Sequence, residues 1–243
     1  MPLQTVEPQR LYRQIAEQLR SLVAAGEFEV GQRLPAEREL ATQLGVSRPS
    51  VREALIALEV EGVIEVRTGS GIYVRSPSCE AFNMRAGLPP QSSDAGDATP
   101  TEWGPLEVMH ARGLIEPETA ALAAERASKA DIHAITAGLR LMQQQARRGE
   151  VPREGDETFH LAIARASGHG VLLDTLQRYW QARHGPLFER LGDYFEGPES
   201  WQVALVEHEA VLQAIRSRDP SQARKAMQRH MRQALRRYSA SWR

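Results

Sequence analysis

The sequence predicts a mainly α protein: an N-terminal winged helix-turn-helix of three helices plus a β-hairpin, followed by an all-helical bundle. Three observations predict it. Residues 1–75 carry three apolar stripes at helical spacing and then two short alternating runs around a Gly-rich tetrapeptide. Residues 106–243 keep a 3.6-residue period nearly throughout, with no strand signal of comparable strength. Between them, residues 76–105 (SPSCEAFNMRAGLPPQSSDAGDATPTEWGP) are rich in Ser, Pro, Gly, Asp and Ala and show no sustained apolar period. That is linker composition, and thirty flexible residues would span about 30 Å.

In the first part, Leu11, Ile15, Leu19 and Leu22/Val23 predict a helix that ends at Gly26. In GQRLPAERELATQLG, Pro35 suits the first helical position, Leu40 and Leu44 give the apolar face, and Gly45 stops the helix. In VSRPSVREALIALEVEG, Ser47 is the expected N-cap and Val51, Leu55 and Leu58 form the stripe. Two helices joined by a short Gly-containing turn make a helix-turn-helix. Ile64/Val66 and Ile72/Val74 around Thr68-Gly69-Ser70-Gly71 then read as a hairpin.

The second part reads as six or seven helices. Pro105 opens the first, with Leu106, Met109 and Leu114 on its stripe, and Pro117 is expected to kink it. Ser128 with Asp131 is a capping-box pattern. Gly149 after Arg147-Arg148 ends that helix, and Gly168, Gly185-Pro186, Gly197-Pro198 and Asp219-Pro220 punctuate the rest.

Composition narrows the function. With 243 residues, one or two domains are expected. At 42% hydrophobic and 25% charged, the chain is neither disordered nor fibrous. Apolar runs are short and broken by charge, the N-terminus lacks the apolar core of a secretory signal, and a single cysteine (Cys79) excludes an intrachain disulfide. A cytoplasmic location with no membrane contact is expected. Net charge is −1, and residues 1–75 are also at −1, with 9 Arg against 10 Glu. Any nucleic-acid contact must therefore come from positive charge gathered on one face.

Major-groove readers place side chains at the start of the second helix of the motif. Ser47, Arg48 and Arg52 stand there. Arg chelates guanine O6 and N7, which discriminates by roughly 1–3 kcal/mol. Arg33 and Arg38 flank the preceding helix start, and Arg67, Thr68 and Gly69 form the wing tip. The alternative for each arginine is an ion pair with Glu37, Glu39, Glu53 or Glu65 on a solvated surface.

The string GQRLPAERELATQLGVSRPSVREALIALEVEGVIEVRTGSGIYV resembles the DNA-binding domain of the GntR superfamily of bacterial transcription regulators, through its LPAERELA and VSRxxVREAL blocks. The resemblance implies that Arg38, Arg48 and Arg52 contact a short palindromic operator, with Ser47 and Gly69 assisting. Pro49 departs from the small hydroxyl residue often found there, which removes a contact from that side chain.

In the second part, Asp156 and His160 are four apart, on the face that continues through Phe159 and Ile163. His208 lies on the stripe Leu205, Val211/Leu212, Ile215, and His230 on the stripe Ala226/Met227, Met231, Ala234, Tyr238. Three histidines on three buried stripes, one with a carboxylate a turn before it, suit a divalent metal: zinc first, with nickel, manganese or iron as alternatives. The other reading makes each a core histidine satisfied by a hydrogen bond. His110, His133, His169 and His184 lack the pattern.

Residues 106 to about 238 are similar to the all-helical FCD ligand-binding domain of the FadR subfamily of GntR regulators. The resemblance lies in GPLEVMHARGLIEPETAALAA, DETFHLAIARASGH, the Glu-His at 207–208 and MQRH at 227–230. It implies that Asp156, His160, His208 and His230 bind a divalent metal, and that Arg112 faces an effector pocket. Otherwise Arg112 would be in a surface ion pair with Glu116, four residues on. The strings RLYRQIA, EALIALEVEGVIEVRTGSGIYV, GPLEVMHARGLIE and DTLQRYWQARHGPLF most resemble the hexuronate-responsive repressors of that subfamily. This implies a small carboxylate effector, a sugar acid such as a hexuronate, with Trp180 stacking on the ring and Arg183 as a second anionic clamp. The alternative places Trp180 in the core and Arg183 on the surface.

Together these readings predict a homodimeric, effector-responsive regulator, most simply a repressor of sugar-acid catabolism, and not an enzyme. The alternative is a metal-dependent hydrolase or isomerase built on the helical part. It needs a base near the metal, and Glu209 beside His208 is expected to point away from the stripe. A purely architectural DNA-binding module would leave the buried histidines unexplained. The basic run from Arg216 to Arg243 reads as the solvated face of the last helix.

Overall fold

The computed structural model describes residues 10–75 and 103–239. The linker reading for 76–102 and Cys79 lie outside them. The chain divides into two compact units, one up to Gly104 and one from Pro105.

The first unit contains α1 (Leu11–Ala24), α2 (Glu37–Leu44), α3 (Arg48–Val60), β1 (Ile64–Arg67) and β2 (Gly71–Val74). The inward stripe of α1 is Tyr12, Ile15, Ala16 and Leu19, which keeps the expected Ile15 and Leu19, while Leu11 is 49% exposed and Tyr12 takes its place. Helix α2 starts at Glu37 with Ala36 as N-cap, leaving Pro35 just ahead of it, and Gly45 ends it in the left-handed conformation at φ 66°. Ser47 caps α3 by accepting from the Ser50 amide, as the sequence indicates. Val51, Ala54, Leu55, Ile56 and Leu58 are wholly buried and form the core with α1 and α2.

The hairpin pairs Ile64 with Val74 and Arg67 with Gly71. Residues 31–34 add to its edge: Gly31 N–H donates to Val74 O, Leu34 N–H to Ile72 O, and Val74 N–H to Gln32 O. This backbone seam fixes the wing beside the start of α2. A Cβ on Gly71 would meet the Arg33 Nε at 2.5 Å, so the small residue lets Arg33 lie along the wing.

The second unit is helical throughout its described residues: α4 (Pro105–Arg126), α5 (Lys129–Arg147), α6 (Arg153–Ala166), α7 (Gly170–Ala182), α8 (Pro186–Phe195), α9 (Pro198–Arg216) and α10 (Pro220–Tyr238). Pro117 lies inside α4, which continues as one helix on both sides of it. The capping box of α5 forms: Ser128 N–H donates to Asp131 Oδ2 at 2.8 Å, and Asp131 N–H to Ser128 Oγ at 3.1 Å.

Helix α4 packs along α10, α5 along α6, and α9 against both α10 and α5. Two glycines let α5 and α6 approach closely. A Cβ on Gly138 would meet Phe159 Cα at 2.7 Å, and one on Gly155 would strike the Met142 backbone. Gly155 precedes Asp156, so this approach sets the depth of α6 and of that carboxylate. Among the described residues no helix is long and apolar enough to cross a membrane.

Candidate metal centre and nucleic-acid interface

Helix α6 supplies Asp156 and His160, α9 supplies His208, and α10 supplies His230. All four are buried, and their ligand atoms lie within 4.8 Å of one another. His160 Nε2 is 3.1 Å from His208 Nε2, and Asp156 Oδ1 is 2.9 Å from His208 Nε2. The other four histidines are exposed, and His184 pairs with Glu157 at 3.0 Å.

The opposite nitrogen of each ring is held. His208 Nδ1 donates to Ala204 O at 2.6 Å. His230 Nδ1 faces Glu207 Oε2 at 2.8 Å. His160 Nδ1 is in direct contact with Glu116 Oε2. In the neutral rings these partners keep the proton on Nδ1, so three Nε2 lone pairs and one carboxylate converge on one point. Four acceptors gathered out of water repel unless a cation or a proton lies between them. Each imidazole thus has the outer partner that metal-binding histidines regularly show. The donor set fits a divalent metal of the zinc type.

The charges of the site follow from burial and these contacts. Burial alone would raise the Glu116 carboxyl, but the Arg112 guanidinium and His160 hold it at about 2. Asp156 is likewise held well below the carboxylate range: burial would raise it, but its contacts with the His160 and His208 rings and the Arg183 charge outweigh that. Burial, reinforced by His208 and His160, pushes His230 well down, which keeps it neutral. His160 is raised, because Glu116 and Asp156 overcome its burial.

Glu116 and Glu207 are the functional side chains that the sequence reading passed over. Arg112 and Glu116 do pair, at 2.6 Å, but the pair is buried, not on the surface. Glu116 therefore joins Arg112 to His160. The carboxylate beside His208 that matters is Glu207; Glu209 bonds Gln213 on the exposed side, as its helical position indicates. Replacing Glu116 by Gln should weaken metal binding by about 10–100-fold, since such outer partners are worth that much. A zinc competition titration checks it, and unchanged affinity would remove Glu116 from the site.

A cavity of about 440 Å³, counting its open mouth, lies beside the four ligands, with Arg112 and Arg183 on its wall together with Arg237, Trp201, Glu196 and Tyr238. Arg183 is mostly buried and binds Asp156 Oδ2 at 2.9 Å, so it is not a surface residue. A second cavity of about 320 Å³ shares Arg183, Glu196 and Tyr238 with the first. Trp180 lines the second cavity and not the one beside the ligands. It is 2% exposed, with the Arg112 guanidinium 4.0 Å and the Arg183 guanidinium 4.5 Å from its ring centroid, which favours the core alternative over sugar stacking. It packs between the arginines and steadies them through cation–π contact.

In the first unit, Arg33, Arg38, Ser47, Arg48 and Gly69 are exposed. Gly69 sits at the wing tip with φ +75°, a left-handed turn that glycine adopts without strain. Arg52 differs from the sequence expectation of an exposed contact. It is 1% exposed and bound along one edge to Glu37, Nε to Oε2 at 2.8 Å and a terminal nitrogen to Oε1 at 2.9 Å. Four residues advance about 40° round a helix, enough to turn Arg52 from solvent toward α2. Arg48 gives its Nε to the same Glu37 at 2.8 Å, with 43% of its side chain exposed. On α10, Arg229, Arg232 and Arg236 are exposed, and Arg224 forms a two-pronged surface pair with Glu118.

A winged helix-turn-helix carried with a helical unit defines a class: a DNA-binding transcription regulator. Residues 11–74 match the model described as "Bacterial regulatory proteins, gntR family", and residues 107–233 match that of the FCD domain. The chain belongs to the gntR family, in the branch that carries an FCD domain. It is 36% identical to the Exu regulon transcriptional regulator of Escherichia coli K12, over 94% of this chain and 84% of that protein. It is 34% identical to the Uxu operon transcriptional regulator of the same strain (92% and 84%) and 33% identical to the Uxu operon regulator of Haemophilus influenzae (91% and 79%). These are transcription regulators, and the metalloenzyme alternative is set aside.

Proposed function

We propose that this regulator binds a palindromic operator as a homodimer and senses a sugar acid such as a hexuronate through a metal-containing pocket. The observation that carries the reading is the convergence of the Asp156, His160, His208 and His230 ligand atoms beside a cavity walled by Arg112 and Arg183. Zinc, or nickel, manganese or iron in its place, would be held by those four residues. It would supply a positive centre to which an effector carboxylate can add. Arg112, held by Glu116, and Arg183, held by Asp156, orient the anion. The kinship with Exu and Uxu regulators, and the motifs shared with hexuronate-responsive repressors, support a hexuronate as the anion.

Arg33, Arg38, Ser47, Arg48 and Gly69 would contact the operator, with Arg48 reading bases. Arg52 would act through Glu37, fixing the face from which Arg48 projects. Effector binding changes operator affinity only by favouring one arrangement of the dimer over another. Moving that balance from 99:1 to 1:99 takes about 5.5 kcal/mol of differential affinity.

A thermal-shift screen of sugar acids against metal-loaded and chelated protein tests the sensing half. A ligand at a hundred times its Kd stabilises by about 2.7 kcal/mol, or roughly 5 °C or more in a unit of this size. The shift is expected for a hexuronate with metal and not after chelation. An equal shift in both samples would refute the metal anchor.

A further inference from the structure

Helix α9 borders the cavity beside the four converging residues through Trp201, Ala204 and His208, which fall on one buried face. Trp201 is 7% exposed, and its indole Nε1 is buried without a hydrogen-bond partner among the described residues. A buried indole N–H ordinarily finds an acceptor, and an exception in a native fold points to a water or a ligand that completes it. The guanidinium and phenol groups of the same wall are already engaged: Arg112 with Glu116, Arg183 with Asp156, Arg237 with Glu207 and Tyr238 with Glu196. Trp180 Nε1 also lacks a partner, but that ring borders the second cavity, between two guanidinium groups.

Position along α9 gives this donor a meaning. Trp201 stands two turns before His208 on the same face, about 10 Å along the helix axis. A six-carbon acid measures roughly 6 Å between its ends, from carbon–carbon bonds of about 1.5 Å. A polar contact of about 3 Å at each end closes the interval. A three-carbon hydroxy acid such as lactate, roughly 3 Å long, cannot touch both ends. The indole N–H is neutral, so its contact does not depend on the charge of the imidazoles or the carboxylates.

We propose that the Trp201 indole N–H donates to an oxygen at the far end of the ligand, so that the pocket selects six-carbon acids over short hydroxy acids. The inference rests on the sugar-acid reading above and names the residue that sets ligand length within it.

Isothermal titration of the zinc-loaded full chain with galacturonate and with L-lactate tests it, for wild type and for Trp201→Phe, which keeps an aromatic wall and removes the N–H. Wild type should bind galacturonate about tenfold more tightly than lactate. The variant should lose about three- to tenfold for galacturonate, the worth of one neutral hydrogen bond, and nothing for lactate. Unchanged galacturonate affinity in the variant would overturn the role of Trp201. An equal loss for both acids would mark a packing defect and overturn the length reading. Parity between the acids in wild type would overturn it too, while leaving carboxylate sensing intact. If wild type binds neither acid, the sugar-acid reading and the inference fall together. If the variant does not fold, spectra of isotope-labelled indoles in wild type decide: galacturonate should shift an indole N–H resonance that lactate leaves in place, and no such shift overturns the proposal.

Discussion

Replacing both His208 and His230 by alanine should take bound metal from about one ion per chain to none and abolish the response to effector. The two rings come from α9 and α10 and bring two of the three converging nitrogens. Without them only Asp156 and His160 remain, a pair on one helix turn that cannot close a shell. At a thousandfold excess over its Kd, a ligand adds about 4 kcal/mol to the folded state. Chelation should therefore lower the melting temperature of wild type and leave the double variant where it was. Removing two buried rings also costs packing, so the measure that decides is each protein's own shift on chelation, not its absolute melting temperature. Elemental analysis and paired melting curves check this. A double variant that still carries metal, or that still responds to effector, would place the sensing centre elsewhere.

The four converging residues were legible because a histidine on an apolar stripe is anomalous. Three such stripes, with Asp156 one turn before His160, leave few other readings. Glu116 was not legible for the opposite reason. Arg and Glu four apart on a helix are the commonest of surface pairs, and α4 around them is rich in alanine on several faces, so no stripe marks the pair as buried. Only the packing of α10 and α6 against α4 shows it.

Trp180 was ambiguous in principle. An indole at the end of an amphipathic helix suits a sugar face and a core equally well, and the two guanidinium groups over its ring favour the core. The first unit read more easily, because caps and turns are local: Ser47, Gly45 and the Gly69 turn each act within a few residues. The shift from Leu11 to Tyr12 on α1 was set by tertiary contact with α3, which the local pattern does not carry.

Arg48→Ala should abolish specific operator binding while the melting temperature stays within about 1 °C of wild type, as expected for a surface change. A bidentate arginine–guanine contact discriminates by about 1–3 kcal/mol. A dimer presents it twice, so the loss is about 30-fold to more than 10,000-fold. The fold survives because Glu37 keeps its two-pronged bond to Arg52 when Arg48 is gone.

Arg52→Ala makes the contrast. It strands the Glu37 carboxylate, 5% exposed, with a single bond to the half-exposed Arg48. Breaking a buried pair from one side costs about 3–5 kcal/mol. That variant should lose stability and DNA affinity together, whereas Arg48→Ala loses affinity alone. Fluorescence anisotropy on operator DNA, run beside thermal melts, separates the two. Should Arg52→Ala melt like wild type and still lose operator, Arg52 would be a direct reader that leaves Glu37 when DNA arrives. Should Arg48→Ala keep its affinity, the reading face must lie on other side chains, Arg33 and Arg38 foremost, since both are exposed at the start of α2.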